Sequence, residues 1–206
     1  MNKRLAWNFE INSDNLLNLH YLDDIKEDIR WESRYFWPEK VIITLHGLTD
    51  DFLMLSNYEL KHREDSYSLL PDCHYNIKQR RGQLLYKPLL EEAPMMYGYG
   101  KKINLADYPA NELLPGTDTV YASKLLTQLH TSQQEIDVVK EALIYKFPSN
   151  PTIKLELARL QIAEKIYFSA CVEGRSQLLV RTITKHLLGE QISCDYVSFL
   201  KQALAL

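Results

Sequence analysis

Cysteine is scarce in this chain: Cys73, Cys171 and Cys194 are the three among 206 residues, an odd and widely spaced set that suits neither a zinc site nor a disulfide framework. A disulfide-stapled secreted module is thereby excluded, and a reducing compartment is the simplest expectation. Apolar runs of membrane-spanning length are missing as well. The first residues, Met1 to Trp7, lead straight into Asn8, Glu10, Asn12 and Asp14, so no secretory leader is expected and a cytoplasmic, soluble protein follows. Nor does one sign of charge dominate. With 24 Lys and Arg against 27 Asp and Glu, no global field draws in nucleic acid or an anionic membrane, and any anion selectivity has to be local. The histidines His20, His46, His62, His130 and His186 lack ligand spacing, Cys73 and His74 are neighbours that a strand would point apart, and Gly98 and Gly100 lack the strand-turn-helix context of a nucleotide loop. There are no repeats. What remains is 206 residues of 46% hydrophobic content, enough for one substantial core.

Local charge is found between Cys73 and Leu90, where Lys78, Arg80, Arg81 and Lys87 occur without an acidic residue. Alternation in Asn76-Ile77-Lys78-Gln79-Arg80 puts Asn76, Lys78 and Arg80 on one face of a strand. With Arg81-Gly82 as a two-residue turn, Arg80 faces Gln83, Lys78 faces Leu85 and Asn76 faces Lys87, so Lys78, Arg80 and Lys87 converge. Ile77, Leu84 and Tyr86 take the reverse face. The competing reading is a solvated hairpin whose lysines keep an edge strand from aggregating.

Elsewhere the pattern predicts a short helix over 13–28, with Ser13 or Asp14 as its cap. A strand follows over 29–37, with Arg30, Glu32, Arg34 and Phe36 on one side and Trp31, Tyr35 and Trp37 on the buried other. Residues 41–48 fit strand or helix equally. A strand over 57–70 gathers Lys61, Arg63, Asp65 and Tyr67. Residues 91–117, rich in glycine, proline and tyrosine, read as an irregular loop, and 118–147 as two helices or one bent helix. Two strands over 152–162 and 165–173, a helix over 175–189 with Leu178, Leu179, Ile183, Leu187 and Leu188 inward, and a last helix over 196–204 complete the chain.

Taken in order, Trp31-Glu32-x-Arg34-x-Phe36, Arg63-Glu64-Asp65-x-Tyr67-x-Leu69-Leu70, Asn76-x-Lys78-x-Arg80 and Leu84-x-x-Lys87 resemble the CYTH domain, the triphosphate tunnel metalloenzyme superfamily. The likeness covers residues 29–90, with an echo in Ala170-Cys171-Val172-Glu173 and in Tyr196 to Lys201. It implies a single CYTH-like domain over 1–206 with an irregular or helical insertion at about 91–150. The implied fold is α+β, an antiparallel β-barrel or tunnel-like sheet with flanking helices. Inward lysines and arginines would hold a triphosphate while glutamates hold Mg²⁺ or Mn²⁺. By this likeness Arg30, Arg34, Arg63, Lys78, Arg80 and Lys87 bind substrate, Glu32, Lys78, Arg80 and Lys87 are catalytic, and Glu32 and Glu173 hold the metal. Glu156 is a poorer metal candidate.

One departure bears on the metal. Where the family's first strand carries Glu-x-Glu-x-Lys, this chain has Arg30-x-Glu32-x-Arg34, a guanidinium in place of a carboxylate. The resemblance implies binding and metal-dependent hydrolysis of inorganic, nucleoside or thiamine triphosphate, and this departure opposes a nearby divalent cation. The alternative is a non-catalytic binder of polyphosphate, nucleotide or another polyanion with a degraded metal site. The expected partner is a small molecule carrying a triphosphate, with neither a membrane nor nucleic acid expected. Trp31, Tyr35 and Trp37 read as core or as a subunit contact, the latter in a homodimer.

Overall fold

Alternating side chains dominate this chain, and most of its strands join one sheet. The computed structural model describes residues 2–18 and 22–205. In chain order the strands are β1 (Lys3–Ala6), β2 (Phe9–Asn12), β3 (Arg30–Pro38), β4 (Ile43–His46), β5 (Glu59–Leu69), β6 (Asn76–Arg80), β7 (Gln83–Lys87), β8 (Leu89–Ala93), β9 (Met96–Tyr99), β10 (Ile103–Asn104), β11 (Gln134–Lys146), β12 (Lys154–Ile162) and β13 (Lys165–Gly174). Helices α1 (Ala122–Ser132), α2 (Gln177–Leu188) and α3 (Tyr196–Leu204) complete the set. Ten strands form an antiparallel sheet ordered β10-β7-β6-β5-β11-β12-β13-β3-β9-β8, and β1, β2 and β4 make a small mixed sheet beside it.

The large sheet curls into a tunnel-like half-barrel, because its two ends approach each other. Pro88 alone separates β7 near one end from β8 at the other, and Lys87 at the end of β7 reaches Glu32 on β3. The β6–β7 turn has Arg81 at φ 48° and Gly82 at φ 75°, the two positive values that a tight hairpin turn demands. The register pairs Arg80 with Gln83, Lys78 with Leu85 and Asn76 with Lys87, as the alternation predicts.

Both faces of the sheet are covered. Outside, Trp31, Tyr35, Leu155, Leu157 and Val172 pack with Leu179, Val180, Ile183 and Leu187 of α2 and with Phe9, Ile11, Ile43 and Leu45 of the small sheet. Helix α1 covers the back of the hairpin, where Leu125 and Leu129 join Ile77 and Tyr86. Helix α3 does something different. Its Tyr196, Val197, Phe199 and Leu200 pack with Tyr67, Leu69, Ile136, Val138 and Leu160, inward-pointing residues, so it fills one end of the tunnel. Phe199 stacks on Phe36 with centroids 3.8 Å apart, and Tyr196 stacks on Tyr67 at 4.9 Å. Ser176 caps α2 by accepting from the Leu179 amide, and Asp195 caps α3 by accepting from the Val197 and Ser198 amides.

Four expectations are corrected. Among the described residues of 13–28 there is no helix, residues 19–21 lying outside that set. Leu16 and Ile25 are exposed while Leu22 is buried, and the backbone instead bonds outward: the Leu17 amide to Gly47, Asp24 to Asn150 and Glu27 to Arg175. Residues 91–117 are not merely a loop. They supply most of β8 together with β9 and β10, and β9 pairs with β3, where Gly98 leaves room that a Cβ, 2.9 Å from Ile29 and 3.1 Å from the Trp31 ring, would fill. The second half of 118–147 is the 13-residue strand β11, seated between β5 and β12, so the expected helix stops at Ser132. Leu178 faces solvent.

Candidate functional site

Inward-facing positions from eight strands line a cavity of about 560 Å³ that α3 closes at one end. Eleven basic side chains and four acidic ones border it, whereas the whole chain carries a net charge of −3. The positive charge is thus concentrated by the fold. Alternation explains the selection: Arg30, Glu32 and Arg34 share one face of β3, Lys61 and Arg63 one of β5, Lys154 and Glu156 one of β12.

Near the closed end the charges are paired. Glu156 Oε1 accepts from Arg34 at 2.9 Å and from Lys140 at 2.8 Å, and all three residues are more than nine-tenths buried. Arg34 also donates to Ser169 Oγ at 3.3 Å. Lys87 Nζ donates to Glu32 Oε1 at 2.6 Å and sits 3.5 Å above the Tyr99 ring. Lys78 Nζ donates to Asp65 at 3.0 Å and to the Tyr67 hydroxyl at 3.2 Å, and Arg80 forks onto the same carboxylate.

These pairings set the ionisation of the site. Burial pushes Glu32 up, but Lys87 and Arg34 outweigh it and hold the carboxyl down at about 2. Asp65 is likewise raised by burial and brought down to about 2 by Arg80 and Lys78. Glu156, against the same burial, is held well below the usual carboxylate range by Lys140 and Arg34. Burial lowers Lys78 and Lys140, which their carboxylate partners offset only in part. A buried ammonium in that condition gains from any further anion brought beside it.

The positions marked in the sequence fall as follows. Arg30, Glu32, Arg34, Arg63, Lys78, Lys87 and Glu173 all border the cavity. Arg80 shares their face of the sheet but folds back onto Asp65 and is not among the lining residues. Lys140 was hidden in a segment read as helix, although Ile136, Val138, Lys140, Ala142 and Ile144 alternate with the rest of β11. Lys101, Lys102 and Arg175 also line the cavity, from connections where periodicity carries no signal.

The carboxylates fit a divalent ion poorly. Glu32 and Glu173 are directly opposed on β3 and β13, and their oxygens and the Cys171 sulfur lie within 4.8 Å of one another. Yet Lys87 occupies Glu32, Arg30 donates to Glu173 at 3.2 Å, and the third donor is a thiol that buried surroundings push well up. Mg²⁺ favours oxygen ligands, and two cationic side chains already stand at the carboxylates.

No protein family's sequence profile matches this chain. None of the curated proteins matches it either. Among solved structures it is similar to a protein of Bacillus halodurans described as a "putative adenylate cyclase", with a TM-score of 0.39 and 9% identity over 80% of this chain and 93% of the other. Among the described residues no helix is long and apolar enough to cross a membrane.

Proposed function

We propose that this protein binds a phosphate chain of the triphosphate kind inside its tunnel. The observation that carries the reading is the lining itself, eleven cations against four carboxylates around one closed-ended cavity in a chain of net negative charge. Cations crowded into a partly buried space repel one another, and a polyanion relieves that repulsion while accepting hydrogen bonds from guanidinium forks and ammonium groups. Arg34, Lys78 and Lys87 would meet the innermost phosphate, with Arg30 and Arg63 further out. The resemblance of residues 29–90 to the CYTH domain points to the same ligand class, inorganic, nucleoside or thiamine triphosphate.

Binding to the folded form raises the melting temperature. Thermal melts with triphosphate, pyrophosphate and ATP should therefore show an upward shift for triphosphate without added metal. The absence of a shift with every one of these anions would overturn the reading. Metal-dependent hydrolysis is the second reading, favoured by the opposition of Glu32 and Glu173. Release of phosphate that needs Mg²⁺ or Mn²⁺ and is abolished by Glu32→Gln would establish it; binding without turnover would leave a binder.

A further inference from the structure

The cavity meets its own charge unevenly along its length. Towards α3 three carboxylates answer five cations: Glu156 pairs with Arg34 and Lys140, Asp65 with Lys78 and Arg80, and Glu32 with Lys87. Around the open end, Arg63, Lys101, Lys102, Lys154 and Arg175 form no ion pair among the described residues. They come from separate places: β5, the β9–β10 connection, the first residue of β12 and the chain just after β13. No local sequence feature would cluster them; the curl of the sheet does. Lys102 registers the crowding, being lowered by burial and by the charges of Lys87 and Arg80.

From this we infer that the open end is an outer anion subsite, and that the ligand is a linear phosphate chain longer than triphosphate rather than three phosphates ending in a nucleoside. The inference rests on the tunnel being a phosphate site. Since α3 fills the far end, a ligand can advance only as far as Arg34, Lys78 and Lys140, and whatever follows its first phosphates must lie among the five unpaired cations. A continuing phosphate chain neutralises them. An uncharged sugar and base would leave their mutual repulsion in place.

The ring surfaces argue the same way. Tyr67, Tyr99 and Tyr196 are the aromatic residues lining the cavity; Tyr67 and Tyr196 are stacked on each other, and the Tyr99 face is covered by Lys87. A nucleobase would find the stacking positions taken, and stacking is a main source of affinity for a base without a hydrogen-bonding pocket.

The test is calorimetric titration of the full chain, at one ionic strength, with inorganic triphosphate, with size-fractionated linear polyphosphate counted per chain, and with ATP. The long chain should bind at least about tenfold more tightly than triphosphate, about 1.4 kcal/mol by the affinity relation, and ATP no more tightly than triphosphate. In the triple variant Lys101→Gln, Lys102→Gln, Lys154→Gln the ratio of long-chain to triphosphate affinity should fall towards one. These side chains lie outside the hydrophobic clusters, and an unchanged melt would verify the fold. A ratio near one in the native chain, a ratio untouched by the triple variant, or ATP as the tightest ligand would each overturn the inference while leaving the tunnel as a triphosphate site. If none of the three anions binds, the inference and the proposed function fall together.

Discussion

The two faces of the curled sheet are both buried, by opposite means. Outside, β3, β12 and β13 present Trp31, Tyr35, Leu155, Leu157 and Val172 to α2 and the small sheet, and burial there is driven by loss of apolar area from water. Inside, the same strands present Arg34, Glu156 and Cys171, and the charges are tolerated because Arg34 and Lys140 converge on Glu156. A strand that alternates apolar and charged residues is commonly read as half in water. Here the charged half lines a cavity, and the difference shows that alternation reports which side chains share a face, while closure of the sheet decides whether that face is wet.

Substitution can break this contrast. The largest effect is expected for Glu156→Gln, which leaves Arg34 and Lys140 buried together without their carboxylate and should cost about 3–5 kcal/mol in denaturant melts. Triphosphate should recover part of that loss, since an anion can take the place of the missing charge. On the other face Leu157→Ala, at a fully buried position, should cost about 3 kcal/mol through the cavity it leaves. No recovery beyond the ligand's effect on the native chain is expected, and an equal response of the two variants to triphosphate would erase the distinction.

Acid sharpens the contrast with a smaller effect. Glu32 and Asp65 are held at about 2, below their ordinary values near 4, so the folded state binds these protons less readily than the unfolded chain. Their contribution is full above the ordinary values and is lost as pH falls through about 2, at about 2–3 kcal/mol for each carboxylate. Stability measured between pH 5 and pH 2 should therefore decline in the native chain. For Asp65→Asn the starting stability should be lower and the decline shallower, while Leu157→Ala should run parallel to the native curve.

Much of this arrangement was legible because it depends on neighbours in sequence. The positive-φ pair Arg81 and Gly82, the hairpin register and the two faces of β3 follow from side chains alternating about an extended backbone. Helices α2 and α3 lie within a residue or two of the spans that their apolar spacing predicts. Segment 134–146 was missed because Ile136, Val139, Leu143 and Ile144 also fit a helical period, and a mixed pattern of that kind does not arbitrate by itself. Segment 13–28 failed for the converse reason: its leucines have helical spacing, but the described backbone is held by Gly47, Asn150 and Arg175, all distant in sequence.

By itself the sequence determined which side chains share each face of β3, β5, β6, β7, β12 and β13, since an extended backbone sends successive residues to opposite sides. The tertiary structure alone decided which faces meet. Only the pairing of β11 with β5 and β12 brings Lys140 to Glu156, only the folding back of Arg80 gives Asp65 two cationic partners, and only the placement of α3 closes the tunnel. These are contacts between residues far apart in the chain, settled by the mutual fit of whole elements and by the cost of burying a charge without a partner.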